Sequence, residues 1–234
     1  MRQFIKVIPH KIMYYAAMAK QLNTVGSNTY EIIKRDIIFG KLAPGLKLKL
    51  DALKKQYAAS ISTLRETLNR LASEGFVTAE EQRGFFVTPV SKDDLIEIAN
   101  LRILLESHAM ATSIENGDAD WEGNLVAAYH KLHLMEERMQ AGDESDKETW
   151  KRYDSEFHKA LIQACNSKNL LALHSTIYDK YLRYQMQVLT YRGKNAVDEH
   201  KSILDAALKR DTKRAQDVLK KHLLEGLEHS MSAF

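Results

Sequence analysis

The feature that most constrains this chain is the stretch from Asp51 to Val87, whose pattern predicts a helix, a tight turn, a second helix and a short hairpin. The hairpin is closed by Gln82-Arg83-Gly84, where glycine allows the backbone to reverse sharply. This is the order of a winged helix-turn-helix, whose second helix fits the major groove of DNA. We therefore expect a domain that reads DNA sequence.

The pattern of this first domain predicts three helices and a small sheet. The first helix runs from Ser27 or Asn28 to Phe39, and Pro44-Gly45 turns the chain into a strand over residues 46–50. Asp51 and Ser60 are expected to cap the second and third helices. In the third helix, Leu64, Leu68 and Leu71 share the inward face, and the wing strands are predicted at residues 76–78 and 85–87.

Polar residues remain on the outer face of the third helix and at the tip of the wing. A solvated helix face has the same composition, but the complete helix–helix–wing order favours DNA binding. Arginines can reach guanine edges or phosphates, and the first turn of a helix attracts phosphate. The residues predicted to contact DNA are Ser60, Ser62, Thr63, Arg65, Arg70, Arg83 and Gly84.

Charge is distributed unevenly along the 234 residues. Residues 1–90 carry 14 Lys/Arg against 7 Asp/Glu, a net charge of +7, whereas the remainder carries 20 against 24, a net charge of −4. A basic first part suits a polyanionic partner.

No apolar run is long enough for a membrane span, since residues 12–19 reach about half the required length. The single Cys165 excludes an internal disulfide and suits the reducing cytoplasm.

The second part of the chain has only helical patterns, so the predicted fold class is mainly α. Residues 1–26 are interpreted as an N-terminal extension, 27–89 as the winged helix-turn-helix and 90–234 as a bundle of about six helices. Ser91 and Asp94 have the spacing of a capping box. The first long helix is expected to end near Asn116-Gly117, with its inward face formed by Leu95, Ile98, Leu101, Leu105 and Ala109. The further helices are predicted at about 120–141, 146–165, 169–191, 195–210 and 212–230.

Polar residues interrupt the apolar faces of three of these helices. Asp154 and His158 are one helical turn apart on one face, and His200 and His222 lie within two others. A carboxylate and three imidazoles form a donor set suited to Zn, Ni, Co, Mn or Fe. Two alternatives remain open, namely histidines that only hydrogen bond within the core, and the metal site of an enzyme. No motif for a second general acid or base accompanies the four residues, so we do not expect an enzyme.

The residues around the predicted recognition helix also carry a resemblance to a known family. The segments "IIFGKLAPGLKL", "STLRETLNRLASEGFV" and "QRGFFV" resemble the N-terminal domain of the GntR family of bacterial transcription regulators over about residues 28–88. By this resemblance, Arg65 matches the arginine usual in the family, whereas Ile61 stands where another arginine is usual. One DNA contact of the family is therefore expected to be missing.

The second part resembles the FCD effector domain of the FadR-like branch of this family over about residues 92–226. The matching segments are "LRILLE", "DSEFHKAL", "EHKSILDAALKRD" and "HLLEGL". The resemblance implies that Asp154, His158, His200 and His222 bind a divalent transition metal such as Zn, Ni or Mn, although some members of the branch lack metal. It also implies that Arg102 faces the effector, while a structural salt bridge to a neighbouring glutamate is the alternative.

Together these patterns predict a transcription regulator, more specifically a repressor. We expect a cytoplasmic homodimer that binds a palindromic double-stranded DNA operator, because one winged domain reads a half-site. A small organic acid bound at the metal is expected to control the affinity for the operator. The residues leave the effector, the operator sequence and the metal undetermined.

Overall fold

A computed structural model describes residues 25–143, 146–188 and 191–232 of the chain. The chain divides into two compact units, Met1–Pro89 and Val90–Phe234, which are described separately below. The predicted fold class is confirmed, since the first unit holds a helix-turn-helix with a small sheet and the second is helical. Among the described helices, none combines the length and the apolar character that a membrane crossing requires. The predicted N-terminal extension lies outside the described residues except for its last two.

The first unit is a three-helix domain with a three-stranded wing. Its elements are α1 (Val25–Ile38), β1 (Lys47–Leu48), α2 (Leu50–Tyr57), α3 (Ile61–Ser73), β2 (Val77–Glu80) and β3 (Gly84–Val87). The antiparallel sheet has the order β1-β3-β2, with Val77 opposite Val87 and Glu80 opposite Gly84. The chain reverses between β2 and β3 through Gln82 and Gly84, which both have positive φ angles, 58° and 93°.

The predicted recognition helix α3 is fixed by its cap and by its leucine face. The Ser60 hydroxyl accepts a hydrogen bond from the Thr63 N–H at 3.1 Å, which confirms the predicted N-cap. Leu64, Leu68 and Leu71 are fully buried, and α3 packs against α1, α2 and β2. The opposite face of α3 is thereby held towards solvent.

Two details of the first unit differ from the prediction. Helix α2 begins at Leu50, so Asp51 lies inside its first turn and is not its cap. The N–H groups of Ala52 and Leu53 both bond to the carbonyl of Lys49, so that the backbone alone starts this helix. Accordingly β1 is limited to two residues, and Leu46 is exposed.

The second unit consists of six described helices, as predicted. They are α4 (Lys92–Asn116), α5 (Ala119–Gln140), α6 (Lys147–Ile162), α7 (Lys168–Val188), α8 (Lys194–Leu208) and α9 (Thr212–Met231). Helix α4 contacts α6, α7 and α9, so it runs through the middle of the bundle. The larger apolar core is built from α4, α5, α6, α8 and α9, and a smaller one lies between α4 and α7.

The start of α4 is tied to α7 by a tyrosine. The Ser91 hydroxyl caps α4 by accepting a hydrogen bond from the Asp94 N–H at 3.2 Å. The Tyr184 hydroxyl donates a hydrogen bond to the Asp94 carboxylate at 2.5 Å. The same hydroxyl accepts a hydrogen bond from the Ser91 N–H at 3.2 Å. The predicted hydrogen bond from the Asp94 N–H to the Ser91 side chain is therefore present. The Asp94 side chain accepts a hydrogen bond from Tyr184.

The inward face of α4 was predicted incorrectly at one position. Leu101 is 44% exposed, whereas its neighbour Arg102 is buried. Glu106, one turn further on, is also buried. The helix is rotated so that a charged pair points inward, because a polar cluster occupies the interior there.

We expect that Leu161→Ala lowers the stability of the helical unit by about 2–5 kcal/mol, because Leu161 is 1% exposed within the larger core. The matched control is Leu173→Ala at a position that is 53% exposed, which should change stability by less than about 0.5 kcal/mol. Urea unfolding followed by tryptophan fluorescence reports on this unit, since Trp121 and Trp150 both lie in it. Equal losses for the two variants would contradict the packing described for α6.

Candidate DNA-binding surface and candidate metal centre

The outer face of α3 carries hydroxyl groups near its start and the exposed side chain of Arg65. The Ser60 hydroxyl lies 2.8 Å from that of Ser62 and 2.9 Å from that of Thr63. Arg65 is exposed, and its guanidinium has no ion pair or side-chain hydrogen bond to any described residue. Of the residues predicted on this helix, Arg65 is therefore the one best placed to contact a base or a phosphate.

Arg70 has a different environment on the same helix. Its guanidinium carbon lies 3.6 Å from the centre of the Tyr30 ring, and its Nε lies 3.4 Å from the Glu74 carboxylate. The same carboxylate accepts a hydrogen bond from the Tyr30 hydroxyl at 2.6–2.7 Å. Arg70 thus joins α3 to α1 within the domain, and its predicted DNA contact would have to compete with these partners.

The wing tip carries a second predicted cation. Arg83 is 71% exposed, pairs with Glu80 and has its guanidinium 5.5 Å from the centre of the Phe86 ring. Lys47 approaches the same ring at 5.6 Å, which sequence reasoning did not anticipate. Gly84 follows with a φ angle of +93°, a conformation in which any other side chain is strained.

In the second unit, three of the four predicted metal ligands converge on one point. One ring nitrogen of each of His158, His200 and His222 lies within 4.8 Å of the others. All three side chains are buried, and the rings of His200 and His222 are 4.5 Å apart between centres. They come from α6, α8 and α9, so this cluster exists only in the folded unit.

A glutamate stands behind each histidine and holds its Nδ1 atom. The Nδ1–carboxylate pairs are His158–Glu106 at 2.9 Å, His200–Glu136 at 2.7 Å and His222–Glu199 at 2.9 Å. An Nδ1–H donated to a carboxylate leaves the lone pair on Nε2. The Nε2 atoms of His158 and His200 are buried without a hydrogen-bond partner among the described residues. Two lone pairs are thus left facing the interior.

Asp154 lies next to this cluster, on the same helix as His158. Its Oδ1 is 3.5 Å from His200 Nε2, whereas its Oδ2 accepts a hydrogen bond from the Tyr178 hydroxyl at 3.0 Å. Lys151 Nζ lies 3.8 Å from the same Oδ2. Burial opposes ionisation of this carboxyl, but Lys151 and the nearby histidines outweigh it and hold its pKa well below the usual value.

Two of the three imidazoles have a lowered pKa, which favours their neutral form. Burial lowers the pKa of His158 below its usual value despite the carboxylates beside it. Burial, together with the neighbouring His200 and His158, lowers the pKa of His222 well below the usual value. Neutral imidazole is the form that binds a metal, so the surroundings of His158 and His222 favour the state that coordination requires.

Arg102 forms the salt bridge that was the alternative interpretation from the sequence, and it also lines a cavity. Its Nε donates to Glu106 at 2.6 Å, which is the predicted alternative of a salt bridge. Its guanidinium lies between the rings of Tyr178 and Tyr181, at 4.4 and 4.8 Å from their centres. Its Nη2 has no hydrogen-bond partner among the described residues. Arg102 also lines a cavity beside the histidines, together with residues that include Lys151, Tyr181 and Arg192.

Sequence reasoning missed the carboxylates behind the histidines. Glu136 could have been found, because it shares a helical face with Leu132 and Met139, which makes it a charged residue in an apolar stripe. Glu106 is likewise one turn from Arg102. Glu199 gave no such indication, since it directly precedes His200 in the chain and reaches His222 only through the packing of α8 on α9.

The fold of the first unit defines a DNA-binding transcription regulator, and the second unit adds a helical domain with a buried polar site. The family "Bacterial regulatory proteins, gntR family" matches residues 26–87, and the "FCD domain" matches residues 97–225. The chain belongs to the GntR family and carries an FCD domain, as the resemblance predicted. Both Arg102 and the four predicted metal ligands fall within the matched FCD segment.

Two proteins named as transcription regulators are similar to this chain over most of their length. The "Uncharacterized HTH-type transcriptional regulator BphR" of Paraburkholderia xenovorans is 36% identical over 83% of this chain and 80% of its own. The "HTH-type transcriptional repressor GlaR" of Escherichia coli is 32% identical over 83% of this chain and 90% of its own. The alternative of an enzyme is therefore excluded, and the protein is a transcription regulator.

Solved structures show the same fold. The structure titled "E. coli McbR/YncC" has a TM-score of 0.77 at 21% identity and covers 89% of this chain and 98% of its own. A putative GntR regulator from Rhodococcus sp. RHA1 has a TM-score of 0.73, also at 21% identity, with the same coverage of both chains.

We expect that Arg65→Ala weakens binding to a specific duplex by about 1–3 kcal/mol if this guanidinium contacts a base edge. The duplex is selected in vitro from a random pool, and binding is followed by fluorescence anisotropy at fixed salt concentration. Arg152→Ala is the control, because Arg152 is an exposed arginine of the helical unit. Unchanged affinity of Arg65→Ala would remove this residue from the reading surface.

Proposed function

We propose that this regulator is a metal-dependent repressor whose affinity for its operator is controlled by a small organic acid. Asp154, His158, His200 and His222 would hold a divalent transition metal, and Arg102 would bind the acid beside it. The observation that carries the proposal is the pair of buried Nε2 atoms without partners, on imidazoles that glutamates orient from behind.

The donor set fits a metal of borderline character. Three imidazoles and one carboxylate suit Zn, Ni or Mn, and carboxylate–histidine pairs are the usual support of such ligands. A divalent ion at this point would supply positive charge and coordination positions open to a carboxylate. Histidines that served packing alone would be expected to use both ring nitrogens, which the unpartnered Nε2 atoms do not support.

The cavity supports an anionic ligand of small size. The unpartnered Nη2 of Arg102 can only donate, and Lys151 and Arg192 add two further cations to the wall. The volume of about 30 Å³ holds roughly two water molecules, so the ligand contributes only a compact group to this space unless side chains move. A carboxylate satisfies the charge, the donor geometry and the size.

Repression by a dimer is supported by the geometry of DNA and by the name of one relative. GlaR of E. coli, named a repressor, is 32% identical to this chain. A single winged domain covers one half-site, so two copies related by a twofold axis are needed for a palindromic operator. The acid releases DNA only if it binds the DNA-free form more tightly than the DNA-bound form.

We expect purified protein, expressed with supplemented metal, to contain about one equivalent of transition metal per chain. His222→Gln should lose most of this metal, since it removes one ligand of the cluster, whereas His130→Gln at an exposed position should retain it. Elemental analysis measures the content, and circular dichroism verifies that both variants are folded. Less than about a tenth of an equivalent in the unmodified protein would contradict the metal site.

We expect that Asp154→Ala abolishes the response to the effector but leaves DNA binding intact, because the first unit is a separate compact domain. Small mono- and dicarboxylates are screened by thermal shift on metal-loaded protein. A true ligand at 100 times its dissociation constant adds about 2.7 kcal/mol of stability. Release of DNA is then measured for both proteins, and normal release by Asp154→Ala would show that the metal site does not anchor the effector.

A further inference from the structure

Tyr178 is a buried residue that neither the metal site nor the effector site uses directly. It lies on α7, which supplies none of the four predicted ligands, and its side chain is fully buried. Its hydroxyl donates a hydrogen bond to Asp154 Oδ2 at 3.0 Å. A phenol carries its proton at neutral pH, so this hydroxyl is a donor.

The hydrogen bond discriminates between the two oxygens of Asp154. Oδ2 accepts a hydrogen bond from Tyr178 at 3.0 Å and lies 3.8 Å from Lys151 Nζ, so this oxygen already has partners within the protein. Oδ1 is left facing His200 Nε2 at 3.5 Å. A carboxylate rotates freely unless its rotamer is fixed, and a ligand that is already oriented binds a metal more tightly.

The ring of Tyr178 has a second contact that is separable from the hydroxyl. It stacks against the Arg102 guanidinium at 4.4 Å and lies beside the His158 ring at 5.9 Å. Phenylalanine at this position would keep both ring contacts and remove only the hydrogen bond to Asp154. The chain therefore offers a substitution that isolates the orientation of one ligand.

We propose that Tyr178 is the positioning residue that presents Oδ1 of Asp154 as the fourth ligand of the metal. The inference rests on the proposed metal site and adds to it the residue that makes a three-histidine cluster into a four-ligand site. In this proposal the hydroxyl acts through Asp154 and is not itself a ligand.

The experiment measures the affinity for Co²⁺ by competition with a chromophoric chelator, and the visible absorption of the bound ion. Tyr178→Phe should bind Co²⁺ about 10–100-fold more weakly and with an altered spectrum, as is typical when the support of a ligand is lost. The control is Tyr184→Phe, a buried tyrosine of the same helix whose hydroxyl also donates to an aspartate, Asp94, which lies outside the metal cluster. It should bind Co²⁺ within about twofold of the unmodified protein.

A double-mutant cycle separates positioning from a general structural effect. In an Asp154→Ala background, Tyr178→Phe should cause no further loss of affinity, because the carboxylate through which it acts is absent. Unchanged affinity of Tyr178→Phe, or an equal loss in both backgrounds, would overturn the inference. If Asp154→Ala binds Co²⁺ as tightly as the unmodified protein while His222→Gln does not, a three-histidine site stands and the role of Tyr178 is refuted. Absence of Co²⁺ binding by the unmodified protein would refute the metal site itself.

Discussion

The helical domain depends on the pairing of buried carboxylates with buried imidazoles and cations. Glu106, Glu136, Asp154 and Glu199 are each less than 10% exposed, and an isolated carboxylate in such surroundings costs many kcal/mol. Each is stabilised by contacts to at least one other buried polar group, and these partners come from different helices. The polar cluster therefore links several helices of the bundle through buried hydrogen bonds.

The same pairing gives the site its chemistry before any ligand arrives. A carboxylate at Nδ1 selects one tautomer of each histidine, and burial lowers the pKa of His158 and His222. The interior thus holds lone pairs and donor groups whose own hydrogen bonds are incomplete, notably Nε2 of His158 and Nη2 of Arg102. Leaving these buried atoms without partners lowers the stability of the fold, and preformed binding sites commonly contain such atoms.

Local signals made much of the fold predictable. The Ser60 cap and the leucine face of α3 depend on residues within one or two turns, so the pattern indicated them correctly. The prediction of Asp51 as the cap of α2 was wrong, because the helix begins one residue earlier with backbone hydrogen bonds to Lys49. The preference of aspartate for cap positions gives no information on such backbone bonds. Leu101 failed because the inward face of α4 is chosen by tertiary packing around Arg102 and Glu106, which hydrophobic periodicity does not register.

For the site, periodicity identified Asp154, His158, His200 and His222 because each interrupts an apolar stripe. The structure shows that the three imidazoles meet, which the sequence alone could only imply through the family resemblance. Partners from other helices, such as Glu199 behind His222 and Tyr178 behind Asp154, are more than twenty positions away in the chain. Their spacing carries no local periodicity, so only the packed bundle reveals them.

Glu106 has a consequence for how substitutions in this domain are interpreted. Its carboxylate contacts Arg102, His158 and His174 at 2.6–2.9 Å, so three side chains with different tasks share one counter-charge. Replacing any one of them redistributes the hydrogen bonds of the other two, and energies measured at such neighbours do not add. The loss caused by a single alanine substitution at one of these three residues therefore includes the changed contacts of the other two. Only combined substitutions can attribute a phenotype to a single side chain here.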